Sequence, residues 1–167
     1  MILLHYAWYR GIRVSIGTAL AVVALDAVLS GTYTLSLIVC PIWFLLSVAK
    51  SASIRPGWKL ALIRITIPAL TFGLVLANDA IQSRIAETNA AKIISACEAF
   101  HAANGKYPKT LGELVPKYMP SVPRAKYCLT FGEFLYSDAQ PMLFWYTVPP
   151  FARKIYNFQE RRWSGLD

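Results

Sequence analysis

The chain has 167 residues, 56% of them hydrophobic and only 16% charged, against the ~25% charged content usual for soluble domains. With a mean hydropathy of +0.42 and three cysteines, this argues against an ordinary soluble domain and excludes a disordered chain, a collagen and a disulfide-rich miniprotein. The net charge of +8 divides into six basic residues against one acidic over 1–78 and eleven against eight over 79–167. In the first part the basic residues flank apolar runs, as the positive-inside rule describes and unlike a phosphate-binding surface, so no nucleic-acid partner is expected.

The first ten residues, MILLHYAWYR, are too short to span a bilayer and place Tyr6, Trp8 and Tyr9 beside Arg10, as an interfacial anchor would. Three apolar stretches follow, 14–30, 33–49 and 60–77. Each has 17 or 18 residues, about 26 Å of helix, at the short end of what crosses a bilayer core. All three are predicted to be transmembrane helices. The Gly31-Thr32 link makes the first two an antiparallel hairpin, and Pro41 and Pro68 mark kinks. Arg10 and Arg13 share a side of the membrane with Lys50, Arg55 and Lys59, so the N-terminus is expected to be cytoplasmic and everything after Ala77 outside, in the periplasm of a Gram-negative cell. No cleavable signal is expected, because the charged start leads into a span that leads straight into another.

Asp26 and Arg64 lie within predicted spans, where ionisable residues are functional candidates by default. Asp26 is near the outer end of the first and Arg64 near the inner end of the third, a depth difference on the order of 10 Å by helical rise. Each is expected to snorkel toward its own interface; a bundle-interior contact and a direct salt bridge stay open.

From Asn78 the composition turns ordinary. Residues 79–103 place Ile81, Ile85, Ala86, Ala90, Ile93, Ile94, Cys97 and Phe100 mostly three and four apart, an amphipathic helix ended by Asn104-Gly105. No Gly or Pro separates Leu74 from Ala103, so the third span is expected to run on into this helix. Thr110 to Tyr118 reads as a short helix with Thr110 and Glu113 as a capping box. Then YCLTFGEFLYS, MLFWYTVPP and KIYNFQERRW, with turn signals at Gly132-Glu133, 137–141 and Gln159-Glu160, read as an antiparallel meander packed on the long helix. The expected fold class is thus an α+β membrane protein. It comprises a membrane domain of three transmembrane helices over 1–77 and an α+β domain over 78–167.

Catalytic chemistry is not expected. His5 and His101 are the only histidines, no residues stand at metal or triad spacing, and Gly-rich phosphate loops are missing. No cofactor, metal or small-molecule substrate is anticipated. Tyr107 and Pro108 read as core packing rather than a recognition patch. Cys40 reads as a packing residue in the second span. Cys97 and Cys128 fall in the outer domain, where a disulfide across about thirty residues would be worth roughly 3 to 4 kcal/mol in the chain-entropy model. The alternative is two reduced buried thiols, because Cys97 lies on the apolar face.

The stretch ACEAFHAANGKYPKTLGELVPKYMPSVP, 96–123, resembles the corresponding region of type II secretion major pseudopilins and type IV pilin-like proteins. There an amphipathic helix is followed by a glycine, a Tyr-Pro, a Leu-x-x-Leu-Val-Pro element and a small sheet. The matching positions are Gly105, Tyr107, Pro108, Leu111, Leu114, Val115, Pro116, Tyr118 and Pro123. The helix-then-sheet order extends the likeness over roughly 60–160. The start departs from that pattern: Gly11 precedes Ile12 rather than Phe, no Glu follows, and two extra spans precede the pilin-like helix. Prepilin-peptidase processing at the usual place and release as a filament subunit are therefore not expected.

With its polytopic topology the chain looks more like the small pilin accessory proteins of the TfpY-like group, which are implicated in promoting assembly of a cognate pilin. The resemblance implies a non-enzymatic inner-membrane accessory protein for type IV pilus assembly, with a pilin or other pilus assembly protein as partner. Arg64, and with it Asp26, are the candidate intramembrane contacts; Arg64 lies at about the depth of the acidic residue near a mature pilin's N-terminus. A pseudopilin-related component of a type II secretion system and a membrane-bound immunity or inhibitor protein are the alternatives.

Overall fold

The computed structural model describes the backbone of residues 2–54 and 58–166 and the side chains of 12–53 and 58–165. The chain is α+β, with three long apolar helices and one small antiparallel sheet. It divides into two compact units, 1–79 and 80–167.

In the first unit, α1 (Ile2–Ala24) widens into a π-helical turn (Leu25–Ser30). Gly31 ends it with φ 63°, a left-handed conformation that costs glycine little, and its N–H donates to the Asp26 carbonyl at 2.8 Å. The chain reverses and α2 (Thr34–Ile54) begins, so the tight link predicted at Gly31-Thr32 is present. α2 runs five residues beyond the expected end at Ala49, which makes the start of the predicted inner loop helical. α3 (Trp58–Asn104) is a single helix of 47 residues that contains Pro68. The two stretches read separately from hydropathy and from periodicity are thus one element. Segments Ile12–Ser30 and Thr34–Ser53 and the helix Trp58–Asn104 are each long and apolar enough to cross a membrane. Tyr6, Trp8, Tyr9, Arg10 and Arg55, on which the anchor and charge arguments partly rest, lie outside the described side chains.

In the second unit the helix ends at Gly105, φ 67°, whose N–H donates to the His101 carbonyl. The next helix is shorter than predicted, a 3-10 turn over Leu111–Leu114 rather than 110–118. Thr110 makes no side-chain cap, while Glu113 accepts from the Lys109 N–H at 3.3 Å, and Pro116 has no N–H with which to continue. Four strands follow: β1 (Leu135–Ser137), β2 (Met142–Val148), β3 (Ala152–Asn157) and β4 (Arg162–Leu166), in the spatial order β1-β2-β3-β4. The meander is as predicted, with β3 and β4 divided at the Gln159-Glu160 turn. There Asn157 Oδ1 accepts from both Gln159 and Glu160 N–H.

The first strand departs from expectation. Only 135–137 of the segment starting at Tyr127 pairs, and residues 121–134 form an irregular loop that carries Cys128. Its backbone is satisfied elsewhere. Asn89 Nδ2 donates to the Arg124 carbonyl and the Tyr127 N–H donates to Gln82 Oε1, each at 2.9 Å. Ala125 and Lys126 N–H both donate to the Gly132 carbonyl.

The core of this unit lies between the sheet and α3. Ala86, Ala90, Ile93 and Cys97 of the helix meet Leu143 and Trp145 of β2, with Leu114, Phe134 and Phe158 closing the ends. Ala86 and Ala90 let the sheet and loop come close, and alternation along β2 sends Leu143 and Trp145 inward.

Candidate functional surfaces

The buried charge of the first unit has a local cause. Asp26 is 2% exposed, and its carboxylate accepts from the Leu35 N–H at 3.0 Å through Oδ1 and from the Ser36 N–H at 2.7 Å through Oδ2. Those are first-turn amides of α2, which no intrahelical carbonyl can reach. Asp26 therefore caps the neighbouring helix from α1's terminal turn, and its charge sits at the positive end of that helix. This corrects the expectation of snorkelling: the side chain turns inward to the hairpin. Both carboxylate oxygens are engaged, and among the described residues no ion pair joins Asp26 to Arg64. Arg64 is half-buried, on the stripe of α3 that also carries Pro68, Thr71 and Val75.

The composition of these stripes is the unit's main surface property. Among the described residues of this unit the buried side chains are Val22 on α1, Asp26 in the π-helical turn, Thr32 in the link, Ser36 and Cys40 on α2, and Leu60, Pro68, Thr71 and Val75 on α3. Large aliphatic side chains such as Leu20, Ile38, Leu45, Leu46, Leu70 and Leu74 are exposed instead. A water-soluble bundle has the reverse arrangement.

In the second unit Cys97 and Cys128 are free, buried thiols, one on α3 and the other in the 121–134 loop. Burial pushes the Cys97 thiol up to about 12, with Glu98 adding to the shift. Burial likewise raises the Tyr136 phenol, whose oxygen has no hydrogen-bond partner. His101 stacks on Tyr107, ring centroids 4.2 Å apart. The Tyr107 hydroxyl donates to Glu98 Oε1 and the Phe158 carbonyl, and burial raises its pKa. Tyr107 thus packs against the core, as read from the sequence.

Three features were not foreseen. Gln82 and Asn89, two helical turns apart, put buried amides on the core face of α3 to hold the 124–127 backbone. Lys126 is completely buried, and its Nζ donates to the Thr147 carbonyl at 2.9 Å. An open groove of about 560 Å³ runs between α3 and the 118–123 segment, with Lys92, Ser95, Ala99 and Tyr118 in its walls. The signal for the first was present in the sequence, since positions 82 and 89 are in phase with Ala86 and Ile93; the other two have no local signature.

Among the described residues no three His, Cys, Asp or Glu side chains gather as a metal site would require. Comparison with protein-family models, with curated proteins and with solved structures found no match to this chain.

Proposed function

We propose that this protein is a non-enzymatic inner-membrane accessory factor that promotes type IV pilus assembly by holding a pilin subunit, with its N-terminus cytoplasmic and residues 78–167 in the periplasm. The membrane half of this reading is supported by the inverted helices of the first unit. Mostly small or polar side chains at the buried positions, with many large aliphatic ones outside, suit a bundle in lipid, where close packing and hydrogen bonds replace the hydrophobic drive between helices.

The observation that carries the pilin half is α3. Its first part is an apolar stretch of spanning length and its second part packs on an antiparallel meander. That order of parts is the one for which the 96–123 stretch resembles pilins. A helix so built can lie beside a pilin's own helix in the bilayer, and the α1–α2 hairpin keeps this copy from leaving the membrane.

In-cell photo-crosslinking tests it. Leu62, Ala69 and Leu76 are exposed and share one face of α3. A photoreactive residue at these positions is expected to yield pilin adducts, identified by mass spectrometry, while buried positions do not. Adducts only with a secretion component or a toxin would overturn the pilus reading. Arg64→Ala is expected to lower both pilin capture and surface piliation; unchanged levels of both would remove Arg64 from the contact.

A further inference from the structure

Among the described residues of the second unit, four large apolar side chains are more than half exposed: Ile81 at 59%, Tyr127 at 63%, Leu129 at 69% and Phe151 at 76%. The remaining exposed ones, Val122, Leu135 and Trp163, stay at 41% or less. Scattered exposed apolar residues need no explanation, whereas a group gathered at one end does.

The contacts within the unit show that these four are gathered. Lys154 of β3 meets Glu87 at 2.6 Å, while Arg161, beyond the strand's far end, meets Glu98 at 3.7 Å. β3 therefore runs alongside α3 in the same direction, and the β2–β3 hairpin that carries Phe151 lies toward the helix's first turns in this unit. The Tyr127 N–H is held by Gln82, and Lys126 reaches Thr147 near the end of β2, so the 124–132 loop lies at that end as well. Ile81 is on those first turns. Two exposed cations, Arg84 and Arg153, accompany them, and Arg153 lies over the Phe144 ring. This is the end at which α3 arrives from its apolar stretch, whose last residue, Ala77, is three positions before Ala80.

We infer that this end of the unit is a membrane-contact surface. Tyr127, Leu129 and Phe151, with Ile81, seat among the headgroups and upper acyl chains of the bilayer from which α3 emerges, and Arg84 and Arg153 face lipid phosphates. Aromatic and aliphatic side chains with basic ones beside them have the composition of a surface that rests in the interfacial layer. The occupant is a lipid surface because the chain itself delivers the patch to one. The inference rests on the membrane reading of the three helices.

Photoreactive p-benzoyl-phenylalanine in place of Leu74, Tyr127, Leu129, Phe151 or Gln159, one at a time in the full chain in cells, tests both. All five side chains are exposed, and Gln159 lies at the opposite end of the sheet. Phospholipid adducts are expected at 74, 127, 129 and 151 and not at 159. Adducts at 74 with none, or only protein adducts, at 127, 129 and 151 would overturn the contact surface and leave the membrane reading standing. Absence at 74 as well would overturn both, and equal yield at 159 would remove the specific surface.

Discussion

At the scale of single residues, Asp26 turns an apparent liability into a hinge between two helices. Its carboxylate replaces the side-chain cap that α2 lacks at its own start, where Tyr33 precedes Thr34. Asp26→Ala is expected to destabilise the first unit by about 2 kcal/mol, the upper end of the range for a lost N-cap, since the freed amides are sheltered from water. Asp26→Asn retains one acceptor and is expected to lose about half as much. Unfolding of the detergent-solubilised protein, followed by helical circular dichroism, measures both; an alanine variant as stable as wild type would mean that the carboxylate contributes nothing. The sequence marks Asp26 as a charge in an apolar run but not its partners, because backbone amides at 35 and 36 carry no residue-type signal. Cys97 was legible as a core residue from helical phase alone, and the structure carries it as a free thiol.

At the scale of elements, long periodic segments were legible and the irregular loop was not. Helical spacing through 81–100 marked most of the buried face of α3, although Ile81 is exposed and Gln82 takes the sheltered position. The segment from Tyr127 has the aromatic composition of a strand, yet its backbone pairs with Gln82 and with Gly132, and such tertiary bonding overrides strand propensity. Gly132 is central to that loop. A Cβ there would stand 2.6 Å from the Lys126 carbonyl oxygen, 2.7 Å from Arg124 Nη2 and 2.8 Å from the Cys128 carbonyl oxygen. Two of the three neighbours are backbone and cannot swing away. Gly132→Ala is therefore expected to cost about 1–3 kcal/mol, as overpacking does, and to open 121–134 to limited proteolysis before the helices are cut. A cleavage pattern and melting temperature equal to wild type would contradict this.

At the scale of the whole molecule, the two units are stabilised by different means and so respond to different variables. The first has a helical hairpin joined by one carboxylate cap, whereas the second has an aromatic core built around Trp145 and Phe158. That core encloses two groups that resist ionising, Cys97 and Tyr136. Both have folded-state pKa values raised above the unfolded ones, so the unfolded chain sheds these protons first as the medium turns alkaline. Stability of the second unit is complete below the ordinary thiol value of 9.0 and falls between there and about 12, by up to about 1.4 kcal/mol per pH unit for each group titrating. Urea midpoints read from tryptophan fluorescence are expected to drop from about pH 8 to about pH 10.5, and less steeply in Cys97→Ala. An unchanged slope in that variant would place the alkaline limit elsewhere.

Synthesis runs from the N-terminus, and the two amides that Asp26 serves come nine and ten residues after it. While the chain has been made only as far as the turn, the nascent first helix bears a bare anion amid apolar side chains and has nothing to offset it. Once Leu35 and Ser36 have left the ribosome, both acceptors find their donors, and a loop that short closes on a timescale of about 10–100 ns. The pair of helices, rather than either alone, is thus the smallest nascent piece whose charge is answered from within.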